Sequence, residues 1–349
     1  MALIFMEGFE CTPYGDAFYV TSPMEARWLT SGFYTSSSYA FGSQPGITSI
    51  GILVYQSWWR GILQIPITSK LYLGFYYWSS SSISLRMLNL TDQTATASPT
   101  TGIRLHRNED GSLAFIDNTS GVILTSSPAD TVVASAWYHL EVMAEFGSSG
   151  SLEIRVDGAT VASAAGVDTR GGLSGAGYPN INFATASSSG YYVDHLYVCD
   201  DTGAKANDFL GPVLVYTLIP NADGTTNQMT PVGAATNWQS VSKTNSGSNS
   251  PYVTTDQANQ VDLYNVHDLP VTPTAVHGVI LSGRSQKSTI GHRDVRSKLK
   301  VGGDTVDGAT HVCINGQYRR SQELYLTQPN GSDWDEAAIN AMEIGFETL

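Results

Sequence analysis

Charge is what this sequence has least of. Only 14% of its 349 residues are Asp, Glu, Lys or Arg, against about 25% in an ordinary globular chain. Ser, Thr, Gly, Asn and Tyr fill the gap, which suits strands and tight turns and disfavours a helical fold. Cysteine is nearly absent: Cys11, Cys199 and Cys313 stand far apart. That number and spacing exclude a disulfide framework and a zinc pattern, so each reads as a small buried hydrophobe. No apolar run is long enough to span a bilayer, and membrane insertion is not expected. The opening "MALIFMEGFE" has no basic segment and its apolar run is broken by Glu7, which does not fit a secretory signal and implies folding in the cytoplasm.

Cations are scarcer than anions. With 18 Lys+Arg against 31 Asp+Glu the formal net charge is −13, which repels phosphate backbones and excludes nucleic acid as a partner. One local exception, "RSQKSTIGHRDVRSKLK", holds Arg284, Lys287, Arg293, Arg296, Lys298 and Lys300, and reads as the solvated face of two strands. A docking patch for a polyanion or partner is the sharper alternative.

What is present is β pattern. A prior of about 150 residues per domain gives two domains. From residue 1 to about 200, short alternating runs are separated by turn signals, as in an all-β sandwich: "LIFMEGF", "ITSIGILVYQSWW", "LQIPIT", "LYLGFYYW", "SISLRMLNL", "GIRLHRN", "SLAFID" and "GVILTS". The stretch "AWYHLEVMAEFGSSGSLEIRVDG" (136–158) sets Leu140, Val142, Ala144 and Phe146 on one face and His139, Glu141, Met143 and Glu145 on the other. Its apolar faces coincide only if paired residue numbers sum to an even value. The sum 296 opposes Glu141 to Arg155, whereas 298 opposes Glu141 to Asp157, so the first register is expected, with a Gly147-Ser148-Ser149 turn.

The texture changes at "DDTGAKANDFLGP", which places a boundary between a domain of residues 1–209 and one of 210–349. A strand-like "VLVYTLIP" follows, then a polar stretch, 221–251, read as an interface arm because structureless loops this long are uncommon inside compact domains. The β pattern resumes at "VDLYNV". Near the end, "GSDWDEAAINAMEIGFETL" holds one short helix, capped by Ser332 or Asp333 with Asp335 and Glu336 in its first turn, before a final strand "MEIGFET".

The residues "AWYHLEVMAEFGSSGSLEIRVDGATVAS" resemble a hairpin of laminin G-like and concanavalin A-like jelly rolls. The run "YYVDHLYVCD" resembles their closing strand, which pairs beside the first. The resemblance implies an N-terminal concanavalin A-like jelly-roll sandwich, followed by a second, smaller β-sandwich. The arrangement of the whole chain, from "MALIFMEGFE" through "VYTLIPNADGTTNQMTP" to "EAAINAMEIGFE", is similar to structural proteins of tailed-bacteriophage virions. That implies a tail-associated virion component assembled in the bacterial cytoplasm. Its partners would be copies of itself (a trimer or hexamer), other virion proteins and host-surface glycans.

Catalytic chemistry finds little support. Glu141 with Glu145, and Glu153 with Asp157, are each spaced by four, about 13 Å along a strand at about 3.3 Å per residue, too far for a retaining glycosidase pair. No G-x-S-x-G elbow and no H-E-x-x-H occurs, and His139 and His195 read as hydrogen-bonded strand residues. No catalytic residue, metal ligand or cofactor is assigned. Calcium stays open at the acidic turns "NEDG", "CDDTG" and "NADG", although none supplies the six to eight oxygens of a dedicated loop. Aromatics are the stronger binding signal. Tyr72, Tyr76 and Trp78 share one face of "LYLGFYYW", and with Trp58, Trp59 and Trp238 they are the candidates for contact with a sugar or a neighbouring subunit.

Overall fold

The computed structural model describes residues 3–7, 34–36, 51–54, 61–93, 98–183, 190–242, 251–289, 293–316 and 319–349. They form two compact units, the first ending at Val215 and the second running from Tyr216 to Leu349.

Fourteen named strands build the first unit. They are β1 (Leu3–Glu7), β2 (Tyr34–Ser36), β3 (Gly51–Val54), β4 (Gly61–Thr68), β5 (Lys70–Trp78), β6 (Leu85–Thr91) and β7 (Ile103–Arg107). Then come β8 (Leu113–Asp117), β9 (Ile123–Ser126), β10 (Trp137–Glu145), β11 (Gly150–Val156), β12 (Ala159–Val167), β13 (Tyr178–Phe183) and β14 (Tyr191–Asp200). One sheet has the order β12-β11-β10-β5-β14-β3-β2, with β1 also on β14; the other has the order β4-β13-β6-β7-β8-β9. All described pairings between these strands are antiparallel, so the unit is a two-sheet β-sandwich. The first strand does pair with the closing strand β14.

Alternation explains the core. Leu71, Leu73, Phe75 and Tyr77 project from β5 and meet Leu88, Leu90, Leu105, Phe115, Ile181 and Phe183 from the other sheet. The Phe75 and Phe183 rings meet edge to face at 5.6 Å. Each such side chain contributes about 1.5–3 kcal/mol on burial. One cation lies in this apolar layer. Arg107 is 1% exposed and donates to the carbonyls of Ser81 (2.7 Å), Ile83 (3.2 Å) and Val132 (3.5 Å), tying two loops to β7.

The β10–β11 hairpin has the register that charge pairing dictates: Glu141 faces Arg155 and Met143 faces Glu153. At the next turn Asp157 and Gly158 both have positive φ (48° and 82°), as a two-residue primed turn requires. The Asp157 carboxylate also accepts from the His139 amide at 2.9 Å, so this residue ties the turn to β10.

The second unit has a sheet of order β15-β18-β23-β20-β21: β15 (Pro220–Asn227), β18 (Val261–Val266), β20 (Asp294–Val301), β21 (Asp304–Val312) and β23 (Met342–Thr348). Two further antiparallel pairs are β16 (Thr230–Val232) with β17 (Tyr252–Thr254), and β19 (Val279–Ser285) with β22 (Arg319–Tyr325). Leu281 and Tyr325 from the last pair pack on Val266, Leu299 and Met342 of the sheet, together with Trp334 and Ile339. Among the described residues two short helices are present, α1 (Asn237–Val241) and α2 (Glu336–Asn340). The cap of α2 is Asp335, whose carboxylate accepts from the Ala338 amide at 2.8 Å, so the helix starts two or three residues later than expected.

Segment 221–251 is not a free arm where it is described. Its first part is strand β15, and buried acids hold the rest. Asp262 accepts from the Gln228 and Met229 amides (both 2.7 Å), from Asn237 Nδ2 (2.6 Å) and from the Tyr264 hydroxyl (2.9 Å). The Glu343 carboxylate accepts from Thr225 at both its amide and its hydroxyl. Residues 243–250 lie outside the described residues. "VLVYTLIP" is another departure, since residues 213–219 form no strand and only Pro220 enters one.

The basic residues of β20 are paired rather than solvated. Arg296 and Lys298 each contact both Asp307 and Glu347, and Lys300 contacts Glu343 at 2.8 Å. Burial opposes ionisation of both glutamates, but their bonds to Lys300 and Thr225, and to Lys298 and Arg296, hold both below the usual carboxylate range. A depressed folded-state pKa means the stabilisation is present above the unfolded value near 4.5 and is lost as pH falls through the folded value. We predict that Glu347→Gln costs about 1 kcal/mol at neutral pH, a cost that shrinks as pH falls below the usual carboxylate range. Thermal unfolding of both proteins across that range is the check; a cost that persists in acid would contradict it.

Candidate functional site

The outward face of the β5 sheet brings most of the reactive side chains together. Tyr72, Gly74, Tyr76 and Trp78 alternate with the core positions of β5, and register sets partners on either side. Trp78 lies between Tyr192 and Trp137, Tyr76 between Asp194 and His139, Gly74 between Tyr197 and Glu141, and Tyr72 between Cys199 and Met143. The register of β14 against β5 slips between Asp194 and Tyr197, and His195 there has φ of 49°. This bulge brings the His195 ring against Tyr76 as well, at 5.8 Å, with His139 at 5.0 Å.

The Gly74 row is a lateral brace. The Tyr197 ring lies so close to Gly74 that a Cβ there would come within 2.1 Å of it. Spanning β5 in this way, the Tyr197 hydroxyl donates to the Glu141 carboxylate. The same two groups hold the chain that follows β14: the Leu210 amide donates to Tyr197 Oη (3.0 Å) and the Gly211 amide to Glu141 Oε1 (2.8 Å). Nearby, the Phe209 ring meets Tyr72 edge to face at 5.1 Å and lies 3.9 Å under the Arg155 guanidinium. The Val215 amide donates to His195 Nδ1 at 3.2 Å. An accepting Nδ1 carries no proton, so His195 is the neutral Nε2–H tautomer beside Asp194.

Segment 209–215 therefore covers the face. Tyr72 and Tyr76 are each 8% exposed, His139 2% and Glu141 1%. Burial drives the His139 imidazole down, with Glu141 and Asp157 pulling the other way, and neither ring nitrogen has a hydrogen-bond partner. Burial raises the Tyr76 phenol, reinforced by Asp157. Burial also raises Tyr197 far above its ordinary value, reinforced by the charge of Glu141. A phenol, two imidazoles and two carboxylates side by side have the composition of an acid–base site. Here the backbone of residues 210–215 engages Tyr197, Glu141 and His195, and Tyr76 and His139 are buried.

The aromatic candidates divide accordingly. Tyr72 and Tyr76 were expected on an open surface and are buried, because the second face of this sheet is covered. Trp78 is half-buried in a row with Tyr192 and Trp137, themselves half-buried, and Trp78 meets Tyr192 at 5.5 Å. Trp238 belongs to the second unit, half-buried in α1, with its amide on Asp223 at 2.8 Å. Trp58 and Trp59 lie outside the described residues. Tyr197 emerges only from the structure. By spacing, Glu141 is half of a carboxylate pair too far apart, and His139 reads as a hydrogen-bonded strand residue, although neither of its ring nitrogens has a partner. The signal available for Tyr197 was Gly74, a glycine in mid-strand, which marks a close approach.

The acidic turns are occupied by their own backbone and hydroxyls: Asp110 accepts from Ser112, and Asp200 from Thr202. "NADG" is no turn at all, since it lies within β15. Among the described residues no group of three or more His, Cys, Asp or Glu side chains is placed to hold a metal ion. No helix among them is long and apolar enough to cross a membrane. Cys199 and Cys313 are buried and unbridged, and Cys11 lies outside the described residues.

No family model matches the chain, and no curated protein matches it. Solved structures with similar folds include an endo-β-1,4-glucuronan lyase from the fungus Trichoderma reesei (13% identity, TM-score 0.35, 56% of this chain and 94% of that one). Another is the carbohydrate-binding module CBM66 from Bacillus subtilis (11%, TM-score 0.33, 50% and 96%). A Bacillus subtilis protein of galectin-like fold gives 11% identity and a TM-score of 0.37 over 57% and 96%. At these values no residue role passes from those proteins to this one, and the site rests on its own side chains.

The brace has a direct test. Tyr197→Phe strips the buried Glu141 carboxylate of one donor and the Leu210 amide of its acceptor, at a cost of about 2–3 kcal/mol. Chemical denaturation should show that loss, with protease cleavage appearing between residues 203 and 215. A variant as stable and as resistant as the wild type would sink the assignment.

Proposed function

We propose that the chain is a non-enzymatic structural component of a tailed-bacteriophage virion. It is tail-associated, and it acts by assembling with copies of itself and with other virion proteins. The observation that carries the non-enzymatic part is the covered face of the β5 sheet. Groups able to exchange protons lie beneath residues 209–215, which leaves function to surfaces rather than to a reacting centre. Apolar side chains on edge strands support assembly. Ile67 on β4, Ile123 on β9 and Val312 on β21 are 65%, 56% and 58% exposed, and edge strands are where further chains add. The virion attribution rests on the resemblance in whole-chain arrangement. An acidic particle surface that does not adhere to DNA agrees with it.

Contact with host-surface glycans is the second reading, favoured by the Tyr192–Trp78–Trp137 row. Register lines up three half-buried rings across adjacent strands, and such amphipathic rings suit stacking on a sugar face.

Size-exclusion chromatography with light scattering separates the readings. Assembly requires a stable trimer or hexamer of the 37.5 kDa chain, and a monomer at micromolar concentration would overturn it. A glycan array probed with wild type and Trp78→Ala checks the second reading, which requires binding that the variant loses. Turnover of a bacterial polysaccharide, read as new reducing ends, would contradict the non-enzymatic assignment.

A further inference from the structure

On its outward face the other sheet of the first unit carries two arginines with no carboxylate in ion-pair contact among the described residues, Asp117 acting on Arg104 only from farther away. Pairing of β6 with β7 sets His106 opposite Arg86 and Arg104 opposite Asn89. Pairing of β6 with β13 continues the polar face through Asn182, opposite Asn89, and Asn180, opposite Thr91. Neutral groups orient both guanidiniums. Arg86 Nη1 donates to Asn89 Oδ1 (3.3 Å) and the Pro99 carbonyl (3.2 Å), and Arg104 Nη1 donates to Asn118 Oδ1 (2.9 Å). The two amides are themselves anchored, Asn89 Nδ2 on the Asn182 carbonyl and Asn118 Nδ2 on the Thr101 carbonyl.

Among the described residues no carboxylate lies within ion-pair distance of Arg86 or Arg104. Several other cations do have a carboxylate in contact: Arg155 with Glu153, Arg170 with Asp168, Arg296 and Lys298 with Glu347, Lys300 with Glu343. The unmatched pair is half-buried, and the two charges oppose each other. Burial and then Arg104 bring Arg86 down to about 10, while burial and both arginines push His106 down to about 4. His106 is therefore neutral near pH 7, with Nε2 on the Ser84 hydroxyl at 2.7 Å. One buried polar atom opposite Arg86, His106 Nδ1, has no partner.

We infer that Arg86 and Arg104 form a binding site for a carboxylate, that of a uronic acid residue in an acidic polysaccharide. Two guanidinium forks match the planar, two-oxygen geometry of a carboxylate, and an anion placed between them removes their mutual repulsion. The surroundings select a sugar. Beside the pair the exposed Ser84 hydroxyl offers a hydrogen-bonding group suited to a ring hydroxyl. A nucleic-acid backbone needs a longer cationic track than two arginines on a chain of net charge −13. The aromatic row lies on the opposite sheet, so the two sites are separable by mutation.

Calorimetric titration of the intact chain at low salt is the test, with an oligogalacturonide, its carboxyl-reduced neutral counterpart and a sulfated neutral oligosaccharide as probes. Saturable binding of the oligogalacturonide is expected, weakened about tenfold or more in Arg86→Gln and in Arg104→Gln. It should be absent for the neutral probe. No saturable binding by the wild type, or equal binding by both glutamine variants, would overturn the site. Binding of the sulfated probe without the uronate would overturn the carboxylate assignment. Asn118→Ala keeps both charges and frees Arg104, so a several-fold loss is expected. Should the glutamine variants fail to fold, unchanged affinity in Asn118→Ala refutes the proposal.

Discussion

A buried carboxylate governs one whole face of the first unit. Glu141 is 1% exposed, and an ionised group in that position without partners would cost several kcal/mol. Its partners are the Tyr197 hydroxyl and the Gly211 amide. To reach Glu141 from β14, Tyr197 must pass over β5, which only a glycine at 74 allows. Satisfying Glu141 therefore fixes Leu210 and Gly211 against the sheet. Phe209 falls between Tyr72 and Arg155, and Val215 reaches His195. This is also why the first unit extends to Val215, six residues past the boundary that composition marks.

The second unit follows the same logic with other acids. Asp262 gathers two amides, an asparagine and a tyrosine, and so fastens the polar segment that the sequence leaves looking loose. Glu343 and Glu347 neutralise the cations of β20. In a chain with few charges, many of them are spent on holding segments without apolar content against a sheet. Arg86 and Arg104 lie near one another with no carboxylate in ion-pair contact among the described residues, which is what makes them candidates for an external anion.

Parity carried much of the architecture in the sequence. Alternation plus like-charge avoidance was enough to specify the 141–155 pairing, and the pattern of the last residues marked the final strand. It could not say what covers the other side. Period two tells which residues share a face, whereas burial of Tyr72 and Tyr76 depends on a segment more than a hundred residues away. The bulge at His195 broke the parity of β14 and hid that Tyr197 and Glu141 belong to one row. Polar composition misled in 221–251, where the strand β15 is held by hydrogen bonds to acids rather than by an apolar face. "VLVYTLIP" failed in the opposite sense: its pattern fits a strand, but its Val215 amide is taken by a histidine ring.

The central claim is that residues 209–215 are an integral part of the first unit, held by Glu141 and Tyr197, and not a lid that opens to admit a substrate. Amide hydrogen exchange at Leu210 and Gly211 in the intact protein tests this most directly. The account predicts protection comparable to the central strands β5 and β10, released only with unfolding of the unit. Exchange of these two amides at the rate of an exposed loop, with β5 and β10 still protected, would contradict it and return the Tyr76–His139–His195 cluster to consideration as a working site.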